Sequence, residues 1–218
     1  MIEIPMSHLP IIIAPDYSSF ARAIYILCDI RKIKIKKTDQ HEGETVGFYS
    51  DKLASLNPWQ KLPLMQHNGM LIGESVAIAR YLNALKPDEL NLFGVDLQSS
   101  ANIEYWLQSI VVYVDQLIIR NTVLEFAFPK GENNNVRFDV VKQNQKSLRR
   151  CLHILNQQVS EQFVIEERLT ICDIFLVPML GYLASLPEQF NLISEYKNLQ
   201  RYIAFHSAQN YFKTVFHQ

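Results

Sequence analysis

The chain has 218 residues, 48% hydrophobic and 20% charged, which is material for one large domain or two small ones around a buried core. Lys plus Arg number 21 against 22 Asp plus Glu, so no net field draws the protein toward nucleic acid or anionic lipid. No apolar run approaches a membrane span. Cys28, Cys151 and Cys172 are too scattered for a disulfide framework, and no His or Cys pair has metal-ligand spacing; the expectation is a cytosolic protein with reduced thiols and no metal.

Pro10-Ile11-Ile12-Ile13-Ala14-Pro15 is a β-branched run between prolines, the pattern of a buried strand in a layered α/β sheet. Asp16-Tyr17-Ser18-Ser19 is a polar turn whose hydroxyls can cap the next helix, where Phe20, Ala23, Ile24, Leu27 and Cys28 recur at helical spacing. Lys32-Ile33-Lys34-Ile35-Lys36 alternates strictly and predicts a strand near a sheet edge, isoleucine on one face and solvated lysine on the other. Residues 38–50 are polar with two glycines and read as irregular; Phe48, Leu53 and Leu56 suggest a short helix that Asn57-Pro58 ends. Leu62-Pro63-Leu64-Met65 reads as a strand, Asn68-Gly69 as a type I′ hairpin turn, and Met70-Leu71-Ile72 as the return strand. Ser75 is a good N-cap for a helix carrying Val76, Ile78, Ala79 and Leu82.

Lys86 to Gln98, with Pro87, Asp88 and Gly94, has the composition of a linker, and beyond it the chain reads as helices. Ile103, Trp106, Leu107, Ile110, Val111, Val114, Leu117 and Ile118 form a long stripe at i, i+3, i+4, i+7, with Trp106 expected in the core. A breaker-rich loop around Phe128-Pro129-Lys130-Gly131 precedes a second helix over residues 136–159. Thr170 and Asp173 fit a capping box with a short acid, and Pro178 should kink the helix they start. Tyr196 to Leu199 and Tyr202 to Phe216 read as two short closing helices.

Asn57-Pro58, Leu62-Pro63, Glu74-Ser75, Ala77-Ile78 and Arg80-Tyr81-Leu82 together resemble the second half of the thioredoxin-like domain of glutathione transferases. Phe163 to Asp173 resembles the N-capping region of that family's helical domain, with Glu166 where the family usually has glycine. The resemblance covers nearly the whole chain. It implies an α/β thioredoxin-like domain with a mixed four-stranded sheet over residues 1–86, a linker over 87–97, and an all-α helical bundle over 98–218.

The same resemblance implies a glutathione site. A cis bond at Leu62-Pro63 turns the main chain of Leu62 toward the ligand's backbone, as an added strand is paired. Ser75, at a helix start, receives the γ-glutamyl carboxylate and Glu74 the ammonium group, while Gln60 and Lys61 align with residues that hold the glycyl end. The thiol donor is Ser18 by register from Arg22, with Tyr17 the alternative and Ser19 third; each could equally be an ordinary cap or turn residue. A hydrophobic acceptor site is expected between the domains near Tyr105, Trp106 and Ser109. The implied partners are glutathione as co-substrate, a small hydrophobic electrophile and a second copy in a homodimer, with no nucleic acid and no membrane.

Three activities fit this reading. One is a transferase that conjugates the glutathione thiolate to small electrophiles. The second is a non-catalytic protein-interaction module, as in the gamma subunit of translation elongation factor and domains appended to aminoacyl-tRNA synthetases. The third, weaker, is a glutathione-dependent isomerase or peroxidase. The ambiguous donor loop and Glu166 favour the module; the length, read as a stand-alone chain, favours the enzyme. Fold alone does not separate them.

Overall fold

The computed structural model describes residues 9–86 and 90–213, and the chain divides after residue 89 into two units. The first contains β1 (Ile11–Ile13), α1 (Ser19–Ile30), β2 (Lys36–Thr38), β3 (Gln40–His41), β4 (Glu44–Thr45), α2 (Asp51–Leu56), β5 (Leu64–His67), β6 (Met70–Ile72) and α3 (Ser75–Ala84). Four strands form one sheet in the order β2-β1-β5-β6. β1 and β2 are parallel, and the other neighbours are antiparallel. This is the mixed four-stranded sheet expected of a thioredoxin-like domain.

Strand alternation sorts the core. Ile13 and Leu64 face one side, where they cluster with Val46, Leu53 and Leu62. Ile12 and its partner Met65 face the other, where α1 and α3 contact one another and bury Ile24, Leu27, Ile78 and Leu82. Arg31, only 4% exposed, closes the C-terminus of α3 by donating from Nη2 to the carbonyls of Asn83 and Lys86.

Several local expectations need correction. The alternating lysine run is not one strand. A turn at Arg31 and Lys32, with Lys32 at φ 51°, follows α1, and pairing with β1 begins only at Lys36. Ile33 and Ile35 are still half-buried between exposed lysines, so the alternation reported burial rather than pairing. Residues 38–50 are not irregular throughout: β3 and β4 form a small hairpin through Glu42 and Gly43, both at positive φ. β5 starts after Pro63, at Leu64. The Asn68-Gly69 turn has positive φ at both positions, as a type I′ turn requires.

The second unit contains α4 (Leu97–Ser109), a π-helical stretch (Ile110–Val123), α5 (Leu124–Ala127), α6 (Phe138–Gln158), α7 (Ile171–Ala184) and α8 (Lys197–Ala208). α7 is its centre. Every residue from Ile171 to Gly181 is buried, and the helix runs on through Pro178. The two closing helices expected from sequence are one helix, α8, and a 3₁₀ turn at Asn210–Phe212; residues 214–216 lie outside the described residues.

Of the expected linker, residues 87–89 lie outside the described residues; the remainder is mostly exposed but is pinned at two points. Leu92 is fully buried and its carbonyl accepts from the N–H of Ile171 (3.0 Å). A Cβ on Gly94 (φ 107°) would stand 2.5 Å from the backbone N of Ser100, so only glycine brings this segment against the start of α4.

The long amphipathic helix changes its winding at Ile110, which the sequence stripe did not reveal. Residues five apart are about 140° apart around an α-helix, so their side chains do not meet. Here they do. Arg120 Nε donates to Asp115 Oδ2 (2.9 Å), Gln116 Nε2 to Asn121 Oδ1 (2.7 Å), and Thr122 Oγ1 to the Leu117 carbonyl (2.9 Å). An i→i+5 backbone brings these partners together. Burial follows in pairs, at Val114 and Asp115, Ile118 and Ile119, Thr122 and Val123. Asp115 is 6% exposed, and burial holds its carboxyl above the usual range against the pull of Arg120. Trp106, expected in the core, is only half-buried, edge-on to the exposed Tyr105.

Burial accounts for the cysteines. All three are buried free thiols, with those of Cys28 and Cys151 pushed up to about 12 by desolvation, so none is a ready nucleophile. Among the described residues no helix is long and apolar enough to cross a membrane.

Candidate functional site

Sheet register gathers the sequence-selected residues at one end of the first unit. Ile13, the last residue of β1, pairs with Leu64, the first of β5, so the loop carrying Tyr17 and Ser18 leaves the sheet where Leu62-Pro63 enters it. Met65 pairs with Ile72 at the end of β6, so Gly73, Glu74 and Ser75 emerge one strand further on. Neighbouring strands lie about 4.8 Å apart, which places the three segments side by side over roughly 10 Å.

The loop after β1 is held from within. The N–H of Ser18 donates to the Pro15 carbonyl (3.0 Å), and the guanidinium of Arg22, 4% exposed, donates through Nε to the Asp16 carbonyl (3.0 Å). Ser18 is the N-cap of α1, its Oγ accepting from the N–H of Ala21 (3.3 Å). Capping uses one lone pair and leaves the O–H hydrogen, so a capping serine can still donate outward. Ser18 is half-buried, Ser19 is 6% exposed as the first helical residue, and Tyr17 is half-exposed. The Arg22 contact was missed in the sequence. Its only trace in the sequence is an arginine near the start of a helix that follows a polar loop.

The second segment is organised by Asn57, whose side chain does more than end a helix. Buried to 7%, it accepts from the N–H of Trp59 through Oδ1 (3.1 Å) and donates from Nδ2 to the Lys61 carbonyl (3.0 Å). A Cβ on Gly73 would come within 3.2 Å of the same Nδ2, so Asn57 also sits against the Glu74 turn. Gln60 has φ 50°, and the side chains of Gln60 and Lys61 are exposed. The Leu62–Pro63 bond is cis, and among the described residues no hydrogen bond engages the main-chain N–H or C=O of Leu62.

At the third segment the structure corrects the cap assignment. Ser75 is the first residue of α3, and Glu74 is the N-cap, with φ 61°, ψ 110° and no side-chain capping bond. α1, α2 and α4 each have a capping side chain, from Ser18, Ser50 and Asp96, whereas α6 and α8, like α3, have none. α3 starts with unclaimed N–H groups, the buried Ser75 beside them and the exposed Glu74 carboxylate flanking them. A glutamate in the left-handed region is costly and is seen where the surroundings enforce it. Together the three segments offer a hydroxyl donor, a residue with unpaired main-chain groups, an anion-receptive helix start and a carboxylate for a cation.

The resembling segment in the second unit also has its geometry. Glu166, standing where the family usually has glycine, has φ 61°. Arg168 compensates by donating to Glu166 Oε2 from Nε (3.0 Å) and Nη2 (2.6 Å) while Nη1 reaches the Asn91 carbonyl (2.7 Å). The turn that glycine would make freely is here held by an ion pair. Among the described residues there is no cluster of metal-ligating side chains.

Comparison with known proteins points the same way. Residues 20–84 match the family profile of the glutathione S-transferase N-terminal domain, and residues 138–205 that of the glutathione S-transferase C-terminal domain. The chain is 28% identical over 193 residues to elongation factor 1-gamma 3 of rice, covering 87% of this chain but only 44% of that protein. It is 24% identical over 163 residues to glutathione S-transferase theta-1 of rat, covering 73% of this chain and 67% of the rat protein. Among solved structures, glutathione transferase F1 of poplar superposes with a TM-score of 0.81 at 19% identity, over 95% of this chain and 96% of that one. With both domain profiles matched in order and the fold shared over nearly its full length, the chain belongs to the glutathione S-transferase superfamily.

Proposed function

We propose that the protein is a glutathione transferase that conjugates the glutathione thiolate to small electrophiles. The observation that carries this reading is the helix start of α3, which lacks a capping side chain and lies beside the unpaired Leu62 backbone at the sheet end where Ser18 emerges. In this reading the main chain of Leu62 pairs with the cysteinyl backbone of the ligand. Ser75 and the first N–H groups of α3 receive the γ-glutamyl carboxylate, and Glu74 its ammonium group. Gln60 and Lys61 hold the glycyl end. Ser18 donates to the sulfur, stabilising the thiolate over the thiol, and the N-terminus of α1 adds a favourable dipole.

The test is retention on immobilised glutathione followed by conjugation of a chlorodinitrobenzene. Retention with elution by free glutathione and a measurable rate is expected. The similarity to the rice elongation factor, over 87% of this chain, favours a second reading as a non-catalytic interaction module. Absence of both retention and conjugation establishes that reading instead. The transferase reading also includes a two-fold dimer as the working assembly. Sedimentation at micromolar concentration should give twice the chain mass of 25.3 kDa, and a monomer there removes the dimer from the proposal.

A further inference from the structure

The solvent face of α6 has a charge pattern that the glutathione site does not use. Its core side is Val141, Leu148, Cys151, Leu152 and Leu155. On the opposite meridian lie Lys142, Lys146, Arg149, Arg150 and His153, all exposed, at i, i+4, i+7, i+8 and i+11. At 1.5 Å per residue the row extends about 16 Å, with a side chain roughly every 4 Å on average. From Val140 to Gln158 the helix contains no Asp or Glu. Lys142 with Lys146 and Lys146 with Arg150 are like-charge pairs four apart, which weaken a helix, whereas solvated helix faces usually interleave the two signs. The row therefore persists against local helix stability.

We propose that this face is a docking strip for an acidic, helical segment of a partner protein. A carboxylate is already received at its edge. Glu195, from the 3₁₀ turn Leu192–Glu195, forms an ion pair with Arg149, while among the described residues Lys142, Lys146 and Arg150 have none. An acidic helix with carboxylates four apart repeats at about 6 Å, the interval from Lys142 to Lys146 to Arg150. Ile154, 44% exposed and four residues beyond Arg150, gives such a helix an apolar anchor. A nucleic-acid strand fits less well. The row is narrow, its one aromatic side chain is His153 at the far end, and it belongs to a chain of net charge −1 with no overall positive field to gather a long polyanion.

The probe is a fluorescein-labelled peptide of about four helical turns, with glutamate at every fourth position and a leucine row beside them. Anisotropy with the full chain should show saturable binding that weakens as salt is raised. The variant Lys142→Glu/Lys146→Glu/Arg150→Glu should lose affinity at least ~10-fold while keeping the parent melting temperature, because all three residues are exposed. Reversal of the exposed Lys32 and Lys34 should leave binding unchanged. Absence of saturable binding, equal binding of a glutamine-for-glutamate peptide, or indifference to the triple reversal overturns the proposal. Tighter, strip-dependent binding of a single-stranded oligonucleotide overturns it in favour of a nucleic-acid surface.

Discussion

Replacing Asp173 by Ala is expected to remove about 3–5 kcal/mol of stability, because it strips the acceptor from a fully buried network. The carboxylate receives the N–H of Val164 on Oδ1 (2.8 Å), the N–H of Thr170 on Oδ2 (2.8 Å), the hydroxyl of Thr170 on Oδ2 (3.1 Å) and that of Tyr202 on Oδ1 (3.1 Å). It thus ties the 164 loop, the start of α7 and the middle of α8 to one side chain. Alanine leaves two buried N–H groups, the Thr170 hydroxyl and a buried phenol without this acceptor. For a chain of this size the thermal midpoint should fall by roughly 6–20 °C. Tyr202→Phe, which removes one donor and keeps the ring, should cost about 1 kcal/mol. If Asp173→Ala melts with the parent, the network is not what anchors α7.

The same residue sets a pH dependence. Burial raises the Asp173 carboxyl from 3.8 to about 6, against the opposing pull of its four donors. A group whose native pKa is raised binds its proton more tightly when folded. Its contribution is complete below about pH 4 and is lost as pH rises through about 6. The rise corresponds to ~3 kcal/mol in all. The gap in stability between the wild type and Asp173→Asn should therefore narrow from pH 4 to pH 7. A gap that widens means that the four donors outweigh burial and hold the carboxylate ionised.

Ser18→Ala carries the second large effect. If Ser18 is the thiol donor, the pKa of bound glutathione rises and turnover falls, with affinity for glutathione little changed. Loss of one donor in a well-organised site costs on the order of 3 kcal/mol, and a solvent-reached thiolate loses less, so a ~10- to 100-fold drop is expected. Ser18 also caps α1, and alanine forfeits that cap at about 1 kcal/mol of stability. Ser18→Gly separates the two roles, since glycine is nearly neutral as an N-cap but has no hydroxyl. It should melt close to the parent and still lose activity. Full activity in Ser18→Ala combined with loss in Tyr17→Phe moves the donor to Tyr17.

The features readable in the sequence are those that neighbours along the chain enforce. Asn68-Gly69 specifies its turn because both residues tolerate positive φ. Thr170 and Asp173 form a capping box because the two are three residues apart on one helix start. The order of the sheet strands β1, β2, β5 and β6 and of the helices between them in the first unit, and the helical character of the second, follow from hydrophobic period and breakers in the same way.

Other features depended on residues distant in sequence. Nothing local distinguishes a lysine-isoleucine strand from an extended segment with the same burial; pairing with β1 decides that, and it begins at Lys36. Ser75 has the residue type of an N-cap, yet Glu74, at φ 61° in the turn beside Asn57, takes the cap position instead. The stripe from Ile103 to Ile118 fits a helix of either winding over a few turns. The π-helical form shows only in the folded chain, where the stretch packs against α6 and α7 and partners five residues apart bond. Residue types therefore determined the family and the candidate site residues. Which backbone groups at the sheet end stay unpaired was left to tertiary structure, because a hydrogen bond across the fold is not encoded in either of the two segments it joins.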